Sequence, residues 1–337
     1  MANAQGTSTT TQIPSQYPYF SFAKLLPFAL PYINIAKFVQ LRDVPKNSST
    51  VARFTRMERL ETDPIELTEG ITPDATQTTV TVITATLKEY GRFIRYTDVV
   101  GDTSFESLIQ QFGPVLGENM GSVVENVNAV ALCAGLSAYF SNGTERSAVN
   151  TVMNAGVITK AIRYLERNFA RKITQMNKAA NLFNTSPIPA CYVAFVHSNL
   201  RADVEALDGF IPYQKYASQA VIDENEIGSI KLLRFILNNF MPTYLGGGGT
   251  VTSGIESTLV GGTAKANVYS IPIIGADSFA TVKLAGYGAG QMYSVPLGQT
   301  SDSDPLAQRG TMGYKVWTAG TILNENWMTR IETACSA

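Results

Sequence analysis

Residues 302–334 read DSDPLAQRGTMGYKVWTAGTILNENWMTRIETA. Asp304-Pro305 sets a turn, because proline fixes its own φ and the aspartate side chain bonds readily to the backbone that follows. Gln308-Arg309-Gly310 then brings a rigid five-donor fork beside a residue with no Cβ, a combination suited to a tight backbone joint. Two β-prone apolar runs follow, and their pattern predicts a closing hairpin. The stretch is therefore either a catalytic loop or a structural hinge.

Composition weighs against catalysis. A chain of 337 residues makes one large domain or two ordinary ones. Hydrophobic residues make up 45% and charged residues only 16%, below the roughly 25% usual for soluble domains. So low a charge points to a surface partly covered by other chains. A net charge of −1 gives no electrostatic footprint for tight nucleic-acid binding. Cys133, Cys191 and Cys335 are widely spaced and odd in number, without a CxxC, so neither a disulfide framework nor a zinc knuckle is supported; a reducing compartment fits.

His197 is the only histidine, which excludes a catalytic triad or a multi-histidine metal site within one chain. At the end of an apolar strand it reads as a hydrogen-bonded structural residue. Gly246–Gly254, GGGGTVTSG, lacks the Gly-Lys-Ser/Thr of a phosphate loop and reads as a flexible surface loop. Asp223, Glu224 and Glu226 lack the alternating oxygen ligands of a calcium loop and read as an exposed turn. No catalytic residue, cofactor or metal site is nominated.

The N-terminal stretch MANAQGTSTTTQIPSQ has no secretion-signal order. The apolar segment after it is broken by Pro27 and Pro31 and carries Lys24 and Lys37, a poor membrane span. Residues 1–45 read as an extended arm. Residues 46–103 hold two β-prone runs, 50–61 and 78–100, around the turn-rich TDPIELTEGITPDAT, and predict one long hairpin with a wide acidic tip. Next comes a helix over 114–140, with Gly113-Pro114 breaking the pattern before it and Pro114 in its first turn. Leu116, Met120, Val123, Val127, Val130 and Ala134 share its apolar face, and Glu125 falls elsewhere. Unbroken, this helix is roughly 40 Å long.

A second helix is predicted over 151–170, with Val157, Ala161, Leu165 and Phe169 on one face. ACYVAFVHS reads as a buried strand, NLRADVEAL as a short helix capped by Ser198 or Asn199, and EIGSIKLLRFILNNFMP as a turn and strand. NVYSIPIIGADSFATVKLAG gives another strand pair.

The hairpin raises the sharpest question. Arg53, Arg56 and Arg59 load one strand, while Glu61, Asp63, Glu66, Glu69 and Asp74 load the tip. A two-stranded ribbon alone is marginal in water, so something must bury Phe54, Leu60, Ile83 and Leu87. Either it folds back on its own core, or it lies on a neighbouring subunit where its charges meet complementary ones.

The order of arm, hairpin, long helix, mixed domain and closing return is that of tailed-phage major capsid proteins. VPKNSSTVARFTRMERL, LTEGITPD, LKEYGRFIRYTD, EIGSIKLLRFILNN, IIGADSFATVKL and the DPLAQRG segment resemble, in order, the blocks of the family typified by the coat protein of N4-like podoviruses. These blocks span roughly residues 40–334.

The resemblance implies an α+β Hong Kong 97-type capsid fold. Its parts are an N-terminal arm (1–45), an extended loop (46–103), a peripheral domain with a spine helix (104–150), an axial domain (151–297) and a return to the peripheral domain (298–337). It further implies a non-enzymatic major capsid protein that assembles as hexamers and pentamers into an icosahedral shell enclosing double-stranded DNA. No cofactor or membrane is involved, and the location is the virion, with assembly in the host cytoplasm. The expected partners are other copies of the chain, a separate scaffolding protein, a portal and a decoration protein, with loose contact to packaged DNA. Inter-subunit contacts are expected from Arg53, Arg56, Arg59, Asp63, Glu66, Glu69, Asp304 and Arg309. The rival readings are an intracellular α+β enzyme with a carboxylate site, and another virion component such as a tail tube or decoration protein.

Overall fold

The computed structural model describes residues 32–60, 63–64, 66, 69–70, 75–99, 108–174, 189–216, 221–251, 253–285, 290–298 and 305–337, with the side chains of 108–111 left aside. The reading of the arm before residue 32, and Asp304 with it, lie outside the described residues.

In chain order the elements begin with β1 (Gln40–Val44), β2 (Val51–Met57), β3 (Val80–Thr86) and β4 (Lys88–Thr97). Then come α1 (Leu108–Leu132), β5 (Ala138–Phe140), α2 (Ala155–Arg167), β6 (Tyr192–Val196) and α3 (Arg201–Glu205). They continue with β7 (Ile211–Pro212), β8 (Glu226–Ile230), β9 (Leu233–Leu237), β10 (Thr243–Tyr244), β11 (Ser257–Val260) and β12 (Thr263–Ala266). The chain closes with β13 (Val268–Ile274), β14 (Phe279–Leu284), β15 (Gln291–Val295), β16 (Arg309–Ile322) and β17 (Met328–Ala334).

Two main sheets result. The larger runs β5-β17-β13-β6-β9-β8-β7, with β10 also on β13. The smaller is built on β16, which pairs with β4 on one edge and with β14 and β15 on the other, while β1 lies parallel beside β14. The β6 run CYVAFV is continuously apolar because both its faces are buried. Tyr192, Ala194 and Val196 point into the core shared with α2, and Val193 and Phe195 into the core shared with α1.

The long helix belongs to both sheets. Leu116 and Met120 pack on Tyr96, Met312, Tyr314 and Val316 of the smaller sheet. Ala129, Leu132 and Cys133 pack on Val193, Phe195 and Ile274 of the larger. At 25 residues α1 is about 37 Å long and ties the two cores together.

Its bounds and phase differ from the sequence reading. It already runs at Leu108, with Pro114 inside it, and it ends at Leu132, where residues 138–140 form a strand instead. Proline costs one internal hydrogen bond there, which packing against β16 outweighs. The apolar face also rotates along the helix: Glu125 and Asn128 are fully buried, while Val130 is 57% exposed. Heptad-like spacing drifts around a straight 3.6-residue helix, so a stripe extrapolated from Leu116 misses the second half.

Three expected pairings fail for one reason: strands adjacent in sequence enter different sheets. The long hairpin splits at Leu87, which is buried, because β3 pairs with β2 whereas β4 crosses to β16. β13 and β14 are not partners, and β16 and β17 form no closing hairpin. At these two places the chain instead crosses between the sheets, through 275–278 and through 323–327. These crossings bond to each other through Gly275 N–H to Trp327 O at 3.0 Å and Leu323 N–H to Ser278 O at 2.8 Å.

Smaller corrections concern turns. α2 is 155–167, and Phe169 leaves its face with φ at +53°. His197, not Ser198 or Asn199, caps the short helical turn through Nδ1, which accepts from the Asn199 N–H at 3.2 Å. The Gly246–Gly249 run is packed, not a free loop. A Cβ on Gly248 would sit 2.3 Å from Val149 O, and the Gly248 and Gly249 N–H groups donate to Ala266 O and Val149 O. Gly248 and Gly249 serve a close backbone crossing here, and composition alone cannot tell that from flexibility.

Candidate assembly surfaces and the residues that hold them

The hairpin of β2 and β3 pairs Val51 with Thr86 through Met57 with Val80, and among the described residues no third strand joins it. Strand alternation gives it two faces. The inner face sets Ala52 and Phe54 against Val44, Leu87, Val282 and Ala319 of its own subunit. The outer face shows Val51, Arg53, Thr55 and Met57 beside Val80, Val82, Thr84 and Thr86, all exposed. Its base is thus anchored at home, and its outer face remains open.

The three arginines do different things. Arg56 lies on the inner face, donating to Glu58 from Nε and Nη2 and to Leu323 O from Nη1 at 3.1 Å, which fastens the ribbon to the inter-sheet crossing. Hydrogen bonds from Thr81 first and Arg56 second hold the Glu58 carboxyl below the usual carboxylate range. Arg59 stacks its guanidinium 4.4 Å over the Phe169 ring. Arg53 stands on the open outer face. Beyond them Asp63, Glu66 and Glu69 are exposed.

Arg309 begins β16 in register with Thr97, and Asp98 N–H donates to Gln308 O at 3.0 Å just before it. A Cβ on Gly310 would fall 2.3 Å from the buried Tyr96 ring. The polar knot is therefore a packed joint that seats an aromatic ring on bare backbone.

Three buried carboxylates escape the sequence reading. Glu332, with no side-chain exposure, sits mid-strand in β17 and accepts hydrogen bonds from Nε and Nη2 of Arg146, each at 2.7 Å, and from Nε of Arg330 at 2.8 Å. Burial alone would push it up, but those arginine bonds outweigh it and hold the carboxyl below its ordinary range. Glu226 is no exposed turn residue. It is 4% exposed and pairs with the buried Arg234, while Tyr216 Oη and the Ile222 N–H also donate to it. Asp223 pairs with Lys37 at 2.7 Å. Glu125 accepts from the Ile35 N–H at 2.9 Å and from Asn238, so the helix holds the chain where it leaves the arm. Burial pushes that carboxyl up to about 7.

A charge inside an apolar run, as with Arg234 in LLRFIL, was the available signal; RIETA around Glu332 is not such a run. Buried charges need partners. His197 lies 5.2 Å from the Tyr269 ring, and burial lowers its pKa. The three thiols are buried, and burial pushes Cys133 and Cys191 up to about 11 and Cys335 to about 12. Among the described residues no group of three metal-ligating side chains forms, and no helix is long and apolar enough to cross a membrane.

These features describe a two-sheet body strung on one helix, with an anchored ribbon whose outer face is open. No protein-family model matches the sequence, and no curated protein does. Solved structures do. The capsid of Ralstonia phage GP4 is 10% identical, with 99% of this chain and 96% of that one covered at a TM-score of 0.66. The capsid of cyanophage Pam1 is 11% identical, with 99% and 97% covered at 0.63. The acid-stable capsid of Helicobacter pylori bacteriophage KHP30 is 11% identical, with 99% and 95% covered at 0.60. The chain has the phage capsid fold of the Hong Kong 97 type.

Proposed function

We propose that this chain is the major capsid protein of a tailed phage, a structural subunit that self-assembles as hexamers and pentamers into an icosahedral shell around double-stranded DNA. The observation that carries this reading is the likeness to phage capsid structures over 99% of the chain. Low charge and an outer ribbon face that carries exposed Val51, Met57, Val80 and Val82 suit repeated lateral contacts.

In this reading α1 is the spine helix, the β16 sheet is the peripheral part, and the larger sheet is the axial part, linked by the crossings at 275–278 and 323–327. The ribbon is the extended loop, with Arg53, Asp63, Glu66 and Glu69 the side chains best placed to meet a neighbour, while Arg56 and Arg59 hold its base. Scaffolding, portal and decoration proteins would be separate chains, and a net charge of −1 fits loose contact with DNA. Negative-stain microscopy of the purified protein tests this: shells or capsomers are expected, and compact monomers at every concentration would refute it.

A further inference from the structure

We propose that the smaller sheet carries a slot for an unpaired base of a single-stranded nucleic acid, walled by Phe93 and Tyr293. The inference goes beyond the shell-building reading and does not depend on it.

The slot follows from strand register. From Thr311 to Lys315, β16 lies between β4 and β15, and Tyr293, Gly313 and Phe93 stand directly opposite one another across the three strands. Opposed residues share a face of the sheet, and Met312 and Tyr314 take the face that packs on α1. The two rings therefore rise from the other face with a glycine between them. Phe93 is 65% exposed and Tyr293 48%.

The spacing suits one flat ring. Neighbouring strands lie about 4.8 Å apart, which sets the Cα atoms of Tyr293 and Phe93 about 9–10 Å from each other. A planar group held between two rings needs about 7–8 Å, twice the ordinary carbon contact distance. Gly313 keeps the floor clear, because a Cβ there would lie 2.7 Å from Phe93 Cβ. Gly91, opposite Lys315, extends the bare floor into the next row. The cleft holds about 390 Å³, within the roughly 300–1,000 Å³ of small-ligand sites.

Charge selects the kind of ring. The whole chain carries a net charge of −1. Yet β4 and the stretch of β16 from Thr311 to Trp317 hold Lys88, Arg92, Arg95 and Lys315 against one carboxylate, Glu89. Lys315 pairs with that carboxylate at 3.2 Å and stands 5.6 Å from the Tyr293 ring centroid, while the Arg95 guanidinium stands 5.7 Å from that of Phe93. Arg95 lies opposite Thr311 and Lys315 opposite Gly91. A cation thus flanks the slot on each side, where the phosphates before and after a stacked base would run. Tyr293 Oη donates to Gln291 Oε1 at 2.6 Å, which tethers that wall. Aromatic rings that stack on bases, beside basic groups that follow the backbone, are how single strands are held. A duplex keeps its base faces stacked inside and has nothing to place between the rings.

Fluorescence anisotropy of labelled oligothymidylate with dissociated subunits tests the slot, beside a DNA duplex of equal length. We expect the single strand to bind about tenfold or more tightly than the duplex. Phe93→Ala and Tyr293→Ala should each weaken it by about tenfold, and Phe93→Tyr should retain it. Arg95→Gln should lower the salt dependence by about one phosphate contact. Both aromatic side chains are exposed, and each variant's thermal melt is recorded to confirm folding.

Absence of binding at low salt would overturn the inference. So would equal affinity for duplex and single strand, which would leave only a basic surface, or alanine variants that bind like the parent. None of these outcomes touches the capsid reading, which is judged by shell formation. A chain that forms no shells would in turn leave this test unchanged.

Discussion

Replacing Glu125 with glutamine should stabilise the protein at neutral and basic pH, the reverse of what removing a buried hydrogen-bonded carboxylate usually does. Glu125 is fully buried, and its Oε2 has no hydrogen-bond partner among the described residues. The other oxygen accepts from Ile35 N–H and Asn238. A neutral acid or an amide meets those donors without leaving a net charge in the core. The charged groups nearby are Lys37, which favours the carboxylate, and Asp223, which pairs with that lysine.

Burial wins and moves the carboxyl from 4.5 to about 7. The folded state then binds the proton more tightly than the unfolded chain does, so its contribution is complete below the unfolded value and is lost as pH rises through the folded one. A shift of that size corresponds to about 3 kcal/mol. Urea denaturation of dissociated subunits from pH 4.5 to 8 should give a small difference between variant and parent at the acid end. That difference should grow in the variant's favour to about 2–3 kcal/mol by pH 8. A difference that stays flat with pH, or a variant that loses stability at pH 8, would show that the carboxyl is ionised and satisfied where it lies.

Other perturbations follow from single contacts. Gly310→Ala should lower the melting temperature through an overpacking cost of about 1–3 kcal/mol, since its Cβ would enter the Tyr96 ring; an unchanged melt would contradict the packed joint. Glu332→Ala should cost about 3–5 kcal/mol in urea titration by leaving Arg146 and Arg330 without their buried partner, and a loss below about 1 kcal/mol would count against the network. Removing residues 62–76 with a glycine-rich closure should leave a cooperatively melting subunit that forms no particles, because loop length alone costs only about 0.6 kcal/mol per doubling. Normal shells from that chain would deny the tip a role in assembly. Reductant should leave particle melting unchanged, as the thiols are buried and pushed well above the ordinary cysteine range; a drop of several degrees would reveal a disulfide between chains.

Local pattern carried much of the architecture. The β2 and β3 runs, the buried β6 strand and the existence of both longer helices were legible because each has a period and a composition of its own. What local pattern cannot hold is the partner of a strand. Thr86 and Lys88 lie two residues apart and enter different sheets, as do Ile274 and Phe279, and the alternation along each strand is the same whichever sheet takes it.

Helix phase failed for a related reason. Glu125 and Asn128 look like surface residues until Ile35, Asn238 and Thr281, which lie from 90 to 153 positions away, supply their partners. At the ribbon the charge pattern of Arg53 and the tip was readable, but the division of labour among the arginines was not. It depends on Leu323 and Phe169 arriving from elsewhere in the chain.

The most direct test of the central claim is a cryo-electron microscopy reconstruction of particles assembled from the purified chain. The account predicts a closed icosahedral shell in which each ribbon stays anchored at its own Phe54 and Arg56 while its acidic tip lies on the adjacent subunit. A helical tube, or a shell whose ribbons touch only their own subunit, would contradict it.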